Sequence, residues 1–84
     1  MLFTINNRTF HIDEKINKCF NLLQTRDLNE NDIKAYLAAC GYENPEKTLD
    51  YISNEELNDI LVDCIKDEID TFGGEGTFDV LWGV

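Results

Sequence analysis

The 84-residue chain is poor in the features that mark enzymes and membrane proteins. Its only histidine, His11, lies in a predicted strand with no serine or cysteine near it in sequence, so nucleophilic catalysis is not expected. No apolar run approaches the ~20 residues that span a bilayer. The first residues lack a basic flank followed by an apolar segment, so no signal peptide is expected. With no catalytic, cofactor or metal motif, the sequence predicts a non-enzymatic protein without cofactor or metal.

Cysteines are few and widely spaced. Cys19, Cys40 and Cys64 form an odd set without a C-x-x-C pair, which excludes a disulfide framework and a zinc site of the usual spacing. Each falls on the apolar stripe of a predicted helix. We therefore expect reduced core cysteines in a cytoplasmic protein. One pair could be bridged, but the sequence does not select which.

Basic residues are scarce in the second half of the chain. Residues 1–42 carry five acids and five bases, whereas residues 43–84 carry twelve acids against Lys47 and Lys66. The second half therefore holds the whole net charge of −10. Such a surface repels nucleic acid and anionic membranes, which we exclude as direct partners. A basic protein surface is the expected partner.

The N-terminal residues predict a β-hairpin. Leu2–Ile5 and Thr9–Ile12 are β-branched and aromatic, and the Asn6-Asn7 pair between them tolerates the positive φ angles of a tight turn. With those two residues in the loop, Ile5 pairs with Arg8, and Phe3 with Phe10. One face of the hairpin is then apolar.

Capping residues and apolar periodicity predict four helices, one of them short. The boundary signals are Asp13 for the first helix, Asp27 or Asn29 for the second, Asn44-Pro45 for the short third, and Ser53 for the last, which ends at Gly73-Gly74.

The C-terminal residues Thr77–Val84 alternate between apolar and polar positions, with Phe78, Val80 and Trp82 on one side. This alternation predicts a strand that joins the hairpin, because two strands alone are marginally stable. The expected fold is therefore α+β: a single compact acidic domain over residues 1–84, in which helices pack on a small three-stranded antiparallel sheet.

Acidic residues recur along one face of the last predicted helix. At 100° per residue they fall within about 80° of one another, opposite the apolar stripe, on a line about 21 Å long. We call this set the acidic ridge; its members are Glu56, Asp59, Asp63, Asp67 and Asp70. Glu55 and Asp79 are outlying candidates for the same partner-binding surface. The plain alternative is that the ridge is the solvated back of an amphipathic helix.

The ridge favours a small inhibitory binding protein that mimics nucleic acid in the basic groove of an enzyme. In size and charge the chain is similar to phage-encoded inhibitors of bacterial defence nucleases, such as anti-CRISPR and anti-restriction proteins. The similarity implies the cytoplasm of the host as the site of action. An immunity protein or antitoxin against a cationic toxin would use the same electrostatics. A structural assembly module acting through a sheet edge or apolar patch is a third interpretation, and the sequence also permits a homodimer.

Overall fold

A computed structural model describes residues 1–83 of the chain. This part contains one antiparallel sheet of two strands and five helices, three of which are longer than two turns. In chain order the elements are β1 (Leu2–Ile5), β2 (Arg8–His11), α1 (Glu14–Gln24), α2 (Glu30–Ala39), α3 (Pro45–Thr48), α4 (Asn54–Gly73) and α5 (Thr77–Trp82).

The hairpin has the predicted register. Phe3 pairs with Phe10 and Ile5 pairs with Arg8. Asn6 and Asn7 both have positive φ, 54° and 62°, so the two-residue turn has the left-handed conformations that match the twist of the strands. The apolar face of β2 carries the buried Phe10 into the core.

Helix starts also lie where the capping residues predict them. Asp13 accepts a hydrogen bond from the Lys15 N–H at the start of α1. Asn29, one of the two candidates for α2, forms a reciprocal capping box with Asp32. Ser53 accepts from the Glu56 N–H at the start of α4. Each cap satisfies an N–H group that has no partner inside its helix.

The predicted C-terminal strand is wrong. Thr77–Trp82 is helix α5, Val84 lies outside the described residues, and the sheet within residues 1–83 keeps two strands. The expected three-stranded sheet and the count of four helices are therefore both incorrect. The segment fits the two-residue period of a strand and also the period of a helix, since Phe78 is followed by Leu81 and Trp82 at spacings of three and four. In the helix Phe78 is buried, its ring stacks on Trp82 at 5.4 Å, and Val80 is exposed.

Side chains of α4 take the place of the missing third strand. The Asn54 side-chain amide accepts from the His11 N–H at 2.6 Å and donates to the His11 carbonyl at 3.1 Å. Asn58 donates to the same carbonyl at 2.8 Å and accepts from the Asp13 N–H at 2.9 Å. A side-chain amide carries the donor and acceptor of a peptide group, so it can satisfy a strand edge. At His11, the last residue of β2, the outer strand edge is therefore satisfied by side chains of α4.

The core lies between the hairpin and the inner faces of α1, α2 and α4. Its most deeply buried side chains include Phe10, Phe20, Ile16, Ile33, Leu37, Leu49, Leu57 and Leu61. None of the helices in residues 1–83 combines the length and the apolarity needed to cross a membrane.

The cysteines do not all share the core environment expected for them. Cys19 is fully buried in α1, as predicted. Cys40, at the C-terminal end of α2, is exposed, and Cys64 on α4 is half-buried. The apolar stripe of α2 thus ends before Cys40, and the chain leaves the helix at Gly41, where φ is +98°.

Candidate acidic binding surface

Helix α4 separates the core from the acidic ridge. Its buried residues Leu57, Leu61, Ile65 and Ile69 recur every four positions and face the other helices. The ridge acids recur at steps of three or four on the opposite side, so the helical period places them together.

The N-terminal four members of the ridge point into solvent. Glu56, Asp59, Asp63 and Asp67 are all exposed, and Asp70 is half-buried. Glu56 lies in the first turn of α4, where the helix dipole favours a carboxylate. The remaining acids lie beyond that turn and repel one another along the helix, at a cost of a few tenths of a kcal/mol per neighbouring pair. The ridge is therefore tolerated by the fold but does not stabilise it.

Asp70 has a structural role that sets it apart from the other ridge acids. Its Oδ1 atom accepts a hydrogen bond of 2.9 Å from the backbone N–H of Phe78, in the first turn of α5. The N-cap residue of that helix is Gly76, which has no side chain to cap it. Asp70 therefore caps α5 from α4 and fixes the turn at the end of the long helix.

The ion pairs described in residues 1–83 lie away from the ridge. Arg26 binds Asp32 with two hydrogen bonds of 2.7 and 2.8 Å, and Lys34 contacts Glu30 and Glu46. All of these residues belong to the first half of the chain, or to α3. On α4 itself the one base is the exposed Lys66. The ridge thus keeps a strong excess of negative charge.

The two outlying acids are placed differently from each other. Glu55 is exposed in the first turn of α4, about 100° from Glu56 around the helix axis. Asp79 is exposed on α5, a separate helix, where it lies in the first turn. Glu55 therefore extends one end of the ridge, whereas Asp79 belongs to another surface element.

Glu68 points toward the protein rather than joining the ridge. Burial, followed by the nearby negative charge of Glu68, raises the pKa of Tyr36. The two residues line a small cavity of about 180 Å³ beside the Arg26–Asp32 pair. The helical period explains this difference, because Glu68 falls at the angle of the buried stripe of α4 and not at that of the ridge.

An apolar groove lies at the C-terminal end of α4, between α1 and α5. It encloses about 210 Å³ and is lined mainly by Leu22, Leu23, Phe72 and Leu81. Phe72 is 82% exposed and Leu22 57% exposed. Helical periodicity puts Phe72 on the same side of α4 as Leu61 and Ile65, but α4 extends past the core here, so Phe72 is exposed. The sequence did not predict this groove, since it depends on how α5 folds back.

The chemistry of the ridge is that of hydrogen-bond acceptors. Ionised carboxylates only accept, so they pair with arginine, lysine and backbone N–H groups. Within residues 1–83, no three side chains of the His, Cys, Asp or Glu type converge to hold a metal ion. A surface of this kind therefore suits a cationic macromolecular partner.

Comparison of the chain with models of protein families, with curated proteins and with solved structures finds no match.

Proposed function

We propose that this protein is a small acidic inhibitor that binds the basic groove of a nucleic-acid-binding enzyme. In this proposal the acidic ridge takes the place of the phosphate backbone. The protein then acts in the cytoplasm, in the manner of phage-encoded anti-CRISPR or anti-restriction proteins. It needs no cofactor and contacts no nucleic acid itself.

The proposal rests on the exposure of the ridge along a single helix, α4. Glu56, Asp59, Asp63 and Asp67 are exposed, and the ion pairs described in the chain involve other acids. A solvated helix back usually mixes both charges, so an uncompensated row favours a partner that supplies the opposite charge.

The electrostatic field of the whole protein also favours a cationic partner. A net charge of −10 on 84 residues attracts a cationic groove and accelerates encounter. Grooves that bind nucleic acid are lined with arginine and lysine, and these side chains contact phosphates mainly through charge. Carboxylates spaced along a rigid helix offer such a groove a similar row of acceptors.

The proposal is tested by comparing two triple variants as baits in bacterial lysate. Asp59→Lys, Asp63→Lys and Asp67→Lys together reverse the centre of the ridge, and leave Asp70 to cap α5. We expect the wild-type protein to enrich basic nucleic-acid-binding proteins, which duplex DNA and high salt both release. The ridge variant should lose them.

The matched control carries the same change of charge elsewhere. Glu43→Lys, Asp50→Lys and Glu75→Lys reverse three exposed acids outside the ridge, and both triples raise the net charge by six units, from −10 to −4. The control should keep most of the binding, with circular dichroism unchanged in both variants. Equal loss in the two variants, or enrichment of acidic partners only, would contradict the proposal. Partners that DNA does not displace would instead favour an antitoxin against a cationic toxin.

The apolar groove favours a second candidate function, that of an assembly module. The exposed Phe72 and Leu22 offer an apolar contact at the far end of α4 from Glu56. Binding through this groove would depend little on salt and would be lost in a Phe72→Ser variant, whereas the ridge variant would still bind.

A further inference from the structure

Two thiols from different helices meet on the surface of the molecule. The Sγ atoms of Cys40, which ends α2, and Cys64, in the middle of α4, are 2.9 Å apart. Both residues are free cysteines. A disulfide bond needs about 2.05 Å between its sulfurs, so bond formation requires a movement of less than 1 Å. The structure thus singles out one of the three pairs that the sequence leaves open.

The two thiols differ in access to solvent. Cys40 is exposed, whereas Cys64 is half-buried and its thiol also lies 3.8 Å from the Tyr36 carbonyl oxygen. Burial, followed by the hydrogen bond with Cys40, raises the pKa of Cys64 to about 12. A protonated, half-buried thiol is a poor nucleophile toward an outside reagent. Cys40 is therefore the sulfur that meets a reagent first.

We propose that Cys40 and Cys64 form a reversible intramolecular disulfide when the protein meets a small-molecule disulfide such as oxidised glutathione. The Cys40 thiolate attacks one glutathione sulfur, and the other glutathione leaves as a thiolate. Cys64 then loses its proton, attacks the Cys40 sulfur of the mixed disulfide and expels the second glutathione. The protein thiols are oxidised to one disulfide, the reagent is reduced to two thiols, and the two protons pass to the leaving thiolates.

The new bond would tie α2 to the helix that carries the acidic ridge. The two residues are 24 positions apart, and the closed loop includes α3 and the first half of α4. Closing a loop of this size restricts the unfolded chain and raises the melting temperature by roughly 10–20 °C in a domain of this length. The inference is independent of the proposed function, because it concerns only the chain's own thiols.

The test treats the folded wild-type protein with oxidised glutathione, followed by alkylation and intact mass spectrometry. We expect a product lighter by two hydrogens, a Cys40–Cys64 peptide in the digest, and the rise in melting temperature given above. Dithiothreitol should reverse all three changes. Cys19 is fully buried and should be alkylated only after unfolding.

Two single variants identify the order of the steps. Cys64→Ser should stop at the mixed disulfide, with one glutathione on Cys40. Cys40→Ser should react far more slowly than the wild type, because its remaining thiols are the half-buried Cys64 and the fully buried Cys19. The proposal is overturned if the wild type also stops at one glutathione on Cys40, if it forms a dimer linked through Cys40, or if it stays reduced while Cys40 can be alkylated.

Discussion

The side-chain amide of Asn54 pairs with both backbone groups of His11, accepting at 2.6 Å and donating at 3.1 Å. This is the hydrogen-bond exchange that a neighbouring strand would make with β2. Asn58, one helical turn later, adds a bond to the same His11 carbonyl at 2.8 Å. The start of α4 therefore satisfies the backbone of β2 at the end of the strand, where a third strand would otherwise pair.

Replacing Asn54 with alanine should destabilise the protein by about 1–2 kcal/mol, because two backbone groups of the strand edge lose their partner. Urea denaturation followed by circular dichroism measures the change. Asn31→Ala, at an exposed position in the first turn of α2, is the matched control and should cost less than about 0.5 kcal/mol. Equal losses in the two variants would show that the amide does not hold the edge of β2. Because Asn54 and Asn58 share the His11 carbonyl, their double variant should depart from additivity.

Removing the carboxylate of Asp70 should release α5. Asp70→Ala removes the acceptor of the Phe78 N–H and should cost about 1 kcal/mol, in the range of a lost helix cap. Trp82, the single tryptophan, stacks on Phe78 and reports the docking of α5 through its fluorescence. Asp70→Asn keeps an acceptor oxygen and should lose less.

The control for this change is Asp67→Ala, which removes a neighbouring exposed acid from the ridge. It should leave stability unchanged or slightly higher, since it relieves repulsion along α4. A shift in tryptophan emission as large as that of Asp70→Ala would contradict the capping role.

The pairing of Asp32 with Arg26 makes the stability of the fold depend on pH in the acid range. Hydrogen bonds from Arg26, together with that from the Asn29 N–H, hold the pKa of Asp32 below its ordinary value of 3.8. A carboxyl whose pKa is lower in the folded state stabilises the fold above its unfolded pKa, and this contribution is lost as the pH falls through the folded value. Asp32→Asn should therefore cost about 1 kcal/mol near neutral pH.

Thermal denaturation of the wild type and Asp32→Asn across a pH series measures this effect. The difference between them should shrink as the pH falls below 3.8. Asp50→Asn, at an exposed position, is the control and should follow the wild type throughout. A difference between wild type and Asp32→Asn that is constant down to about pH 2 would exclude titration of Asp32 as its cause.

Because Phe72 is exposed, its substitution should change the free energy of unfolding far less than substitution of the buried Ile69 on the same helix. Phe72→Ser should change the free energy of unfolding by less than about 0.5 kcal/mol, because an exposed side chain loses little contact. Ile69→Ala, three residues earlier, removes a buried side chain and should cost about 2–4 kcal/mol. Urea denaturation distinguishes them. A large loss in Phe72→Ser would show that α5 and α1 close over Phe72 in solution.

Local signals in the sequence predicted the hairpin and the helix starts. The Asn6-Asn7 turn and the caps at Asp13, Asn29 and Ser53 depend on residues within a few positions of one another. The error at the C-terminus has a different origin. The segment from Thr77 to Trp82 satisfies both the strand and the helix period. The helix is favoured by contacts outside the segment, such as the cap from Asp70, eight residues before the N–H that it binds.

Part of the candidate surface could likewise be predicted from local sequence signals, and part of it could not. Helical periodicity alone places Asp59, Asp63 and Asp67 on one side of α4, and all three are exposed there. The cap made by Asp70 and the apolar groove around Phe72 both require the return of α5, which no spacing within α4 indicates. Tertiary packing thus decides which acids are free to bind.

Because α4 is anchored by its buried side and by the side chains of Asn54, Asn58 and Asp70, the exposed ridge positions can be changed without altering the framework. Glu56, Asp59, Asp63 and Asp67 form four adjacent positions where charge, size and hydrogen-bonding groups can be varied one at a time. The protein can therefore serve as a small scaffold on which a binding surface is designed along one face of α4.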